Sequence, residues 1–164
     1  MAASTAITIS ALTVTTPTDW DIVMTCVFDA PRRLIFEAWT KPEHLPHWWG
    51  PHGFTLPVCE IDLCPGGTWR FVSRRPNGKE YGFRGVYREI VPYDRLIYTE
   101  VFDGLPDNEA LVTLDFAEEA GRTTLTSTSR YPSTELRDAD LKSGMLDGAA
   151  QTLDRLAAYL GGMS

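Results

Sequence analysis

SGMLDGAAQTLDRLAAYL, residues 143–160, is the stretch on which the fold turns. Its apolar residues return at three- and four-residue steps. With Leu141 just upstream, the series Leu141, Met145, Ala149, Leu153, Leu156 and Leu160 lies along one face of an α-helix. Gly161-Gly162 closes the pattern as a helix stop. The spacing predicts one long C-terminal helix over about Leu136 to Leu160. Gly144 and Gly148 fall inside it, where glycine costs about 1 kcal/mol each relative to alanine. Small residues beside Met145 and Ala149 let another backbone approach, or leave room for a ligand.

A helix with one apolar stripe needs a surface to bury it, and the upstream sequence supplies strands. Asp21–Phe28 alternates Ile22, Met24, Cys26 and Phe28 against more polar neighbours. Six further strand-like runs follow: Phe54–Leu63, Thr68–Arg74, Tyr81–Ile90, Arg95–Phe102, Ala110–Ala117 and Thr123–Arg130. Pro76-Asn77-Gly78-Lys79 is a strong hairpin signal between two of them. Two short helices are expected after the first strand. One covers Arg32–Thr40, with Asp29 as N-cap and Pro31 in the first turn. The other covers Glu43–Trp48, after the break at Lys41-Pro42.

The expected class is therefore α+β: a curved antiparallel sheet of about seven strands around the terminal helix. One helix covers seven strands only if the sheet curls around it. Glycines at 66, 67, 82 and 85 provide positions for bends and bulges. Residues 21–160 read as one domain, without internal repeats. Residues 1–20 read either as a frayed arm or as an extra edge strand from Ile7 to Val14.

Composition narrows the function classes. The chain has 164 residues, with 15 Lys+Arg against 22 Asp+Glu and a net charge of −7. An acidic chain lacks the basic footprint of a nucleic-acid binder and has no pull towards anionic membranes. No apolar run approaches the roughly 20 residues of a membrane span. The start of the chain lacks the charged and apolar regions of a signal peptide. Cytoplasmic location without membrane insertion is the expectation. Cys26, Cys59 and Cys64 form no CxxC and suggest no disulfide framework. No phosphate loop, dinucleotide fingerprint, nucleophile elbow or HExxH occurs, so no cofactor or covalent nucleophile is expected.

Several motifs together resemble a known family. FDAPRRLIFEAWTKPEHLPHWWGPHGF (28–54), CEIDLCPGGTWRF (59–71), Gly78-Lys79-Glu80 with Gly85, and SGMLDGAAQTLDRLAAYL occur in the order seen in the START-like (SRPBCC) superfamily. More narrowly, they resemble domains named for homology to the activator of the heat-shock protein 90 ATPase. The resemblance covers about Asp21 to Leu160 and implies a helix-grip fold with an apolar cavity at one end. At the place of Ala149 the family often carries Trp, so the smaller residue here implies a larger cavity. Fold likeness alone does not assign function, because the superfamily hosts carriers, cyclases, co-chaperone domains and hydroxylase subunits.

On that fold the residues expected to line a ligand cavity are Trp48, Trp49, Trp69, Phe71, Phe83, Tyr87, Tyr98, Phe102, Leu114, Phe116, Met145, Ala149 and Leu153. Any one of them taken alone reads more naturally as core. The leading expectation is a binding module for a small hydrophobic or aromatic molecule, a carrier or sensor, with a homodimer as its expected assembly. The second is an enzyme of the polyketide cyclase or hydrolase type, for which Glu100, Asp62 and Tyr98 are the first acid–base candidates; no catalytic residue is assigned. The third is stimulation of the heat-shock protein 90 ATPase, implied only by the family's name. The activator has a further N-terminal domain for which few residues precede Asp21. His44, His47 and His52 match no metal-ligand spacing, and His44 and His47 are expected to face solvent. Glu60, Asp62, Arg70, Arg84 and Glu100 are the charged residues expected within the strands, more readily as cross-strand ion pairs on the solvent side of the sheet than as an acid and base inside it.

Overall fold

A computed structural model describes residues 7–9 and 12–163. Nine strands among the described residues form one antiparallel sheet. They are β1 (Ile7–Ile9), β2 (Leu12–Thr15), β3 (Asp21–Phe28), β4 (Thr55–Ile61), β5 (Thr68–Arg74), β6 (Glu80–Val91), β7 (Arg95–Phe102), β8 (Ala110–Glu119) and β9 (Arg122–Arg130). Their spatial order is β1-β2-β3-β9-β8-β7-β6-β5-β4. Three helices accompany them: α1 (Arg32–Thr40), α2 (Thr134–Lys142) and α3 (Met145–Gly161). The arrangement is an α+β helix grip.

The two strands beyond the expected seven come from the N-terminal stretch. That stretch is two short strands rather than one edge strand. β2 pairs with β3, setting Leu12 opposite Cys26 and Val14 opposite Met24. Leu12 and Val14 are each only 1% exposed, so this segment contributes to the core.

The terminal helix is two helices, not one. Ser133 caps α2 by accepting the Leu136 N–H at 3.1 Å. α2 stops at Ser143, and Gly144 adopts φ +86° before α3 begins. A left-handed residue just past a helix end is the conformation glycine supplies at least cost. The apolar series runs through the break because Leu141 and Met145 face the same core on both sides of it.

Two smaller expectations are also corrected. Asp29 does not cap α1; Pro31 takes that position without a side-chain bond, and the Arg32 N–H is satisfied instead by Glu118 Oε1 at 2.8 Å. The second short helix shrinks to a single 3-10 turn, Leu45–His47, because Pro42 and Pro46 each remove a backbone donor.

Alternation along the strands divides the sheet into two faces. The inner face carries Ile22, Phe28, Leu96, Val112, Leu114, Phe116 and Leu125, all buried. The outer face carries ion pairs. Arg70 and Arg84 both reach Asp103, at 2.7 and 2.5 Å, and Arg95 reaches Asp115 at 2.8 Å.

Candidate functional site

Over β4–β7 the inner face is an aromatic wall. Phe102 meets Phe83 with ring centroids 5.2 Å apart. Phe83 and Phe71 each meet Trp49 edge-on, at 5.1 and 5.2 Å. Trp69 contacts Phe71 at 4.8 Å and Tyr98 at 5.7 Å, and Tyr98 contacts Tyr87 at 6.2 Å. Tilted and T-shaped pairs at these distances are the favoured aromatic geometries. Strand register brings them together: Phe71 opposes Phe83, Phe83 opposes Phe102, and Tyr87 opposes Tyr98. Trp49 comes from the loop after the 3-10 turn. Arg155 of α3 ties that loop down, donating to the carbonyls of Gly50 at 2.8 Å and Pro51 at 3.1 Å. Gln151 accepts the His52 N–H at 3.1 Å.

One cross-strand row within this wall is polar at its centre. Trp69 opposes Gly85, and Glu100 opposes Ala110. Gly85 and Glu100 fall between the paired positions Arg84–Val101 and Tyr87–Tyr98. A Cβ on Gly85 would lie 1.7 Å from the Thr99 carbonyl oxygen and 2.4 Å from Trp69 Nε1. The glycine is therefore required. Across it the Trp69 indole donates to the Thr99 carbonyl at 3.2 Å, while the Val86 N–H donates to the Thr99 hydroxyl at 2.9 Å. The small residues Gly85 and Ala110 flank Glu100 on either side.

Glu100 and Tyr98 share an environment unlike that of the outer-face charges. Each is half-buried on the inward side of β7. Burial pushes the Glu100 carboxyl up to about 7, with a contribution from the negative charge of Asp140. Burial likewise raises Tyr98 well above the usual phenol value, and Glu100 adds to the effect. Tyr131 is raised by burial and by Asp140, to which its hydroxyl donates a short hydrogen bond. At neutral pH this interior can hold a proton on Glu100 or release it, which suits either a proton-transfer role or recognition of a charged group.

The helices close the other side. Leu141 of α2 and Met145, Leu146, Ala149 and Leu153 of α3 are half-buried against the core. Of the residues expected to line a cavity, Trp49, Trp69, Phe71, Phe83, Tyr87, Tyr98 and Phe102 meet in the aromatic wall, and Met145, Ala149 and Leu153 pack half-buried against the core from α3. Trp48, Leu114 and Phe116 lie elsewhere, packed solid at 0–2% exposure. The Trp48 indole is consumed by the Ala38 carbonyl at 3.1 Å. Among the acid–base candidates Asp62 is exposed, with the Cys64 thiol as its neighbour at 3.5 Å, so it does not reach the interior.

His47 is exposed, as expected, whereas His44 is half-buried. His44 Nδ1 lies 2.6 Å from the Tyr159 hydroxyl, and His47 stacks on the Tyr159 ring at 4.9 Å. They clamp the far end of α3. Among the described residues no three His, Cys, Asp or Glu side chains gather as metal ligands. No described helix is long and apolar enough to cross a membrane. An open groove of about 510 Å³ is lined by Arg88, Ile97, Leu111 and Arg130 together with Thr99, Ala110 and Tyr131 of the polar row.

Two residues of the polar row were not expected from sequence. Tyr131 continues the inner-face alternation of Leu125, Ser127 and Ser129 one step past β9, so period-two spacing could have found it. Asp140 had no such signal, because its placement depends on the break at Gly144.

The chain resembles solved structures over most of its length. A protein from Rhodobacter sphaeroides is 28% identical with a TM-score of 0.85, the match covering 92% of this chain and 99% of that one. A protein from Chromobacterium violaceum is 29% identical with a TM-score of 0.77, covering 87% and 98%. An AHSA1 protein from Silicibacter pomeroyi shares the fold at 24% identity and a TM-score of 0.72, covering 88% and 99%. No curated protein matches the sequence. The family described as Activator of Hsp90 ATPase homolog 1-like protein matches residues 29–161, and the chain belongs to it.

Proposed function

We propose that this protein binds one small hydrophobic or aromatic molecule between α3 and the aromatic wall of β4–β7, as a carrier or sensor. The family fold supports a ligand-binding or related function in general terms. The observation that supports the specific reading is that Trp49, Phe83, Tyr98 and Phe102 of the aromatic wall, and Met145, Ala149 and Leu153 of α3, are only half-buried although they pack against the core. Apolar walls with few polar anchors are what small-molecule sites offer. Ala149 leaves the space a bulkier side chain would occupy. Titration with para-butylbenzyl alcohol, followed by calorimetry and tryptophan fluorescence, tests this. Saturable binding at one site, lost in Ala149→Trp, is expected. The absence of saturable binding by this probe and by a panel of alkylbenzenes and medium-chain alcohols would overturn it.

One observation favours a second reading, an enzyme that moves a proton on its ligand. A carboxyl held at about 7 beside a tyrosine is placed to act as acid or base near neutral pH. Turnover of a bound ligand that disappears in Glu100→Gln while binding persists would support it. Turnover unchanged in that variant would remove it.

A further inference from the structure

Several surface carboxylates of this protein have cationic partners. Asp103 holds Arg70 and Arg84, Asp115 holds Arg95, Glu80 holds Arg74 at 2.6 Å, and Asp21 holds Arg130 at 2.9 Å. Inside, Glu100 and Asp140 have none among the described residues. Asp140 accepts from the Tyr131 hydroxyl and lies near enough for its charge to act on Glu100. Glu100 has no hydrogen-bond donor among the described side chains, and the small residues Gly85 and Ala110 flank it in the sheet. The other groups beside it are aromatic or neutral: Tyr98 on β7, Trp69 across Gly85 on β5, Ala110 on β8 and Tyr131 after β9. Arg137, the buried cation of α2, points the other way and donates to the Thr18 carbonyl at 2.5 Å. The interior thus holds two acidic groups, several π faces and no positive charge.

Such a chamber is complementary to a cation with an apolar body. A buried carboxylate gains most from a charged donor, and ring faces attract ammonium groups once water is excluded. We propose that the ligand of this site carries a protonated amine on a hydrophobic or aromatic body, with Glu100 as its direct counter-charge and the rings of Trp69 and Tyr98 beside it. Asp140 acts at longer range and keeps the chamber negative. A ligand bearing a carboxylate is repelled. The proposal rests on reading the interior as a ligand site and specifies what that site selects.

The test uses three probes of equal shape on the full chain at neutral pH: para-butylbenzylamine, para-butylbenzyl alcohol and para-butylbenzoate. The wild-type protein should bind the amine about tenfold or more above the alcohol, with the benzoate weakest. Glu100→Gln should weaken the amine by about thirtyfold and leave the alcohol nearly unchanged. Asp140→Asn provides an independent arm and should reduce the amine preference by a smaller factor. Equal binding of amine and alcohol by the wild type, or an amine preference that survives in Glu100→Gln, overturns the proposal and leaves the apolar site standing. Failure of all three probes to bind removes the site itself.

Discussion

The two halves of the sheet's inner face are built by the same rules and finish differently. Over β2, β3, β9 and β8 the inward side chains are mainly aliphatic. Leu12, Val14, Ile22, Leu114 and Phe116 are at most 2% exposed, with α1 and the Trp48 loop packed around them. Over β4–β7 the inward side chains are mainly aromatic and several remain half-open beneath α3. Flexible aliphatic side chains interdigitate until no space is left. Rigid rings held edge-to-face by register cannot close a gap in the same way. The first half is the tightly packed one, and the proposed ligand site belongs to the second.

This contrast predicts unequal costs. Phe116→Ala, in the packed half, should lower unfolding stability by about 3–5 kcal/mol in denaturant titration. A loss below about 1 kcal/mol would show that this half is not the solid one.

A second, smaller effect should come from Glu100 and should depend on pH. Its folded-state pKa, about 7, lies above the ordinary value of 4.5. The folded state therefore binds this proton more readily than the unfolded state. The associated stability is fully present below about pH 4.5 and is lost as pH rises through about 7. Glu100→Gln should match the wild type at acid pH and exceed it at alkaline pH by up to about 3 kcal/mol. A variant less stable than the wild type at alkaline pH would mean that the carboxylate has a partner after all.

The smallest effect is expected at Phe102. It lies in the open half and shields a neighbour rather than filling the core. Phe102→Ala should cost about 1–2 kcal/mol. A loss as large as that of Phe116→Ala would erase the distinction between the halves.

Much of this was legible in the sequence. The seven strands from Asp21 to Arg130 follow from alternation, and the Asn77-Gly78 turn from the φ of +92° that Gly78 adopts. The aromatic wall was legible as a set because Trp69, Phe71, Phe83, Tyr87, Tyr98 and Phe102 hold strand positions of one parity. The kink at Gly144 was hidden because apolar spacing continues across it, although Ser143-Gly144 is an ordinary helix stop. Trp48 could not be separated from Trp49 without knowing which indole the Ala38 carbonyl receives. Glu100 was visible as a strand residue, but its unpaired state depends on the side chains of four other elements. The charges expected to pair did not do so as cross-strand spacing suggested: Arg70 and Arg84 turn to Asp103 beyond the end of β7, and Glu60 and Asp62 have no ion-pair partner among the described residues.

The claim beneath all of these is that unfilled apolar space lies between the aromatic wall and α3. Crystals pressurised with xenon test it most directly, since the gas enters dry apolar voids. Xenon ordered among Trp69, Tyr98, Met145 and Ala149 is the predicted result. Xenon absent from that interior, with well-ordered side chains closing it, would contradict the account.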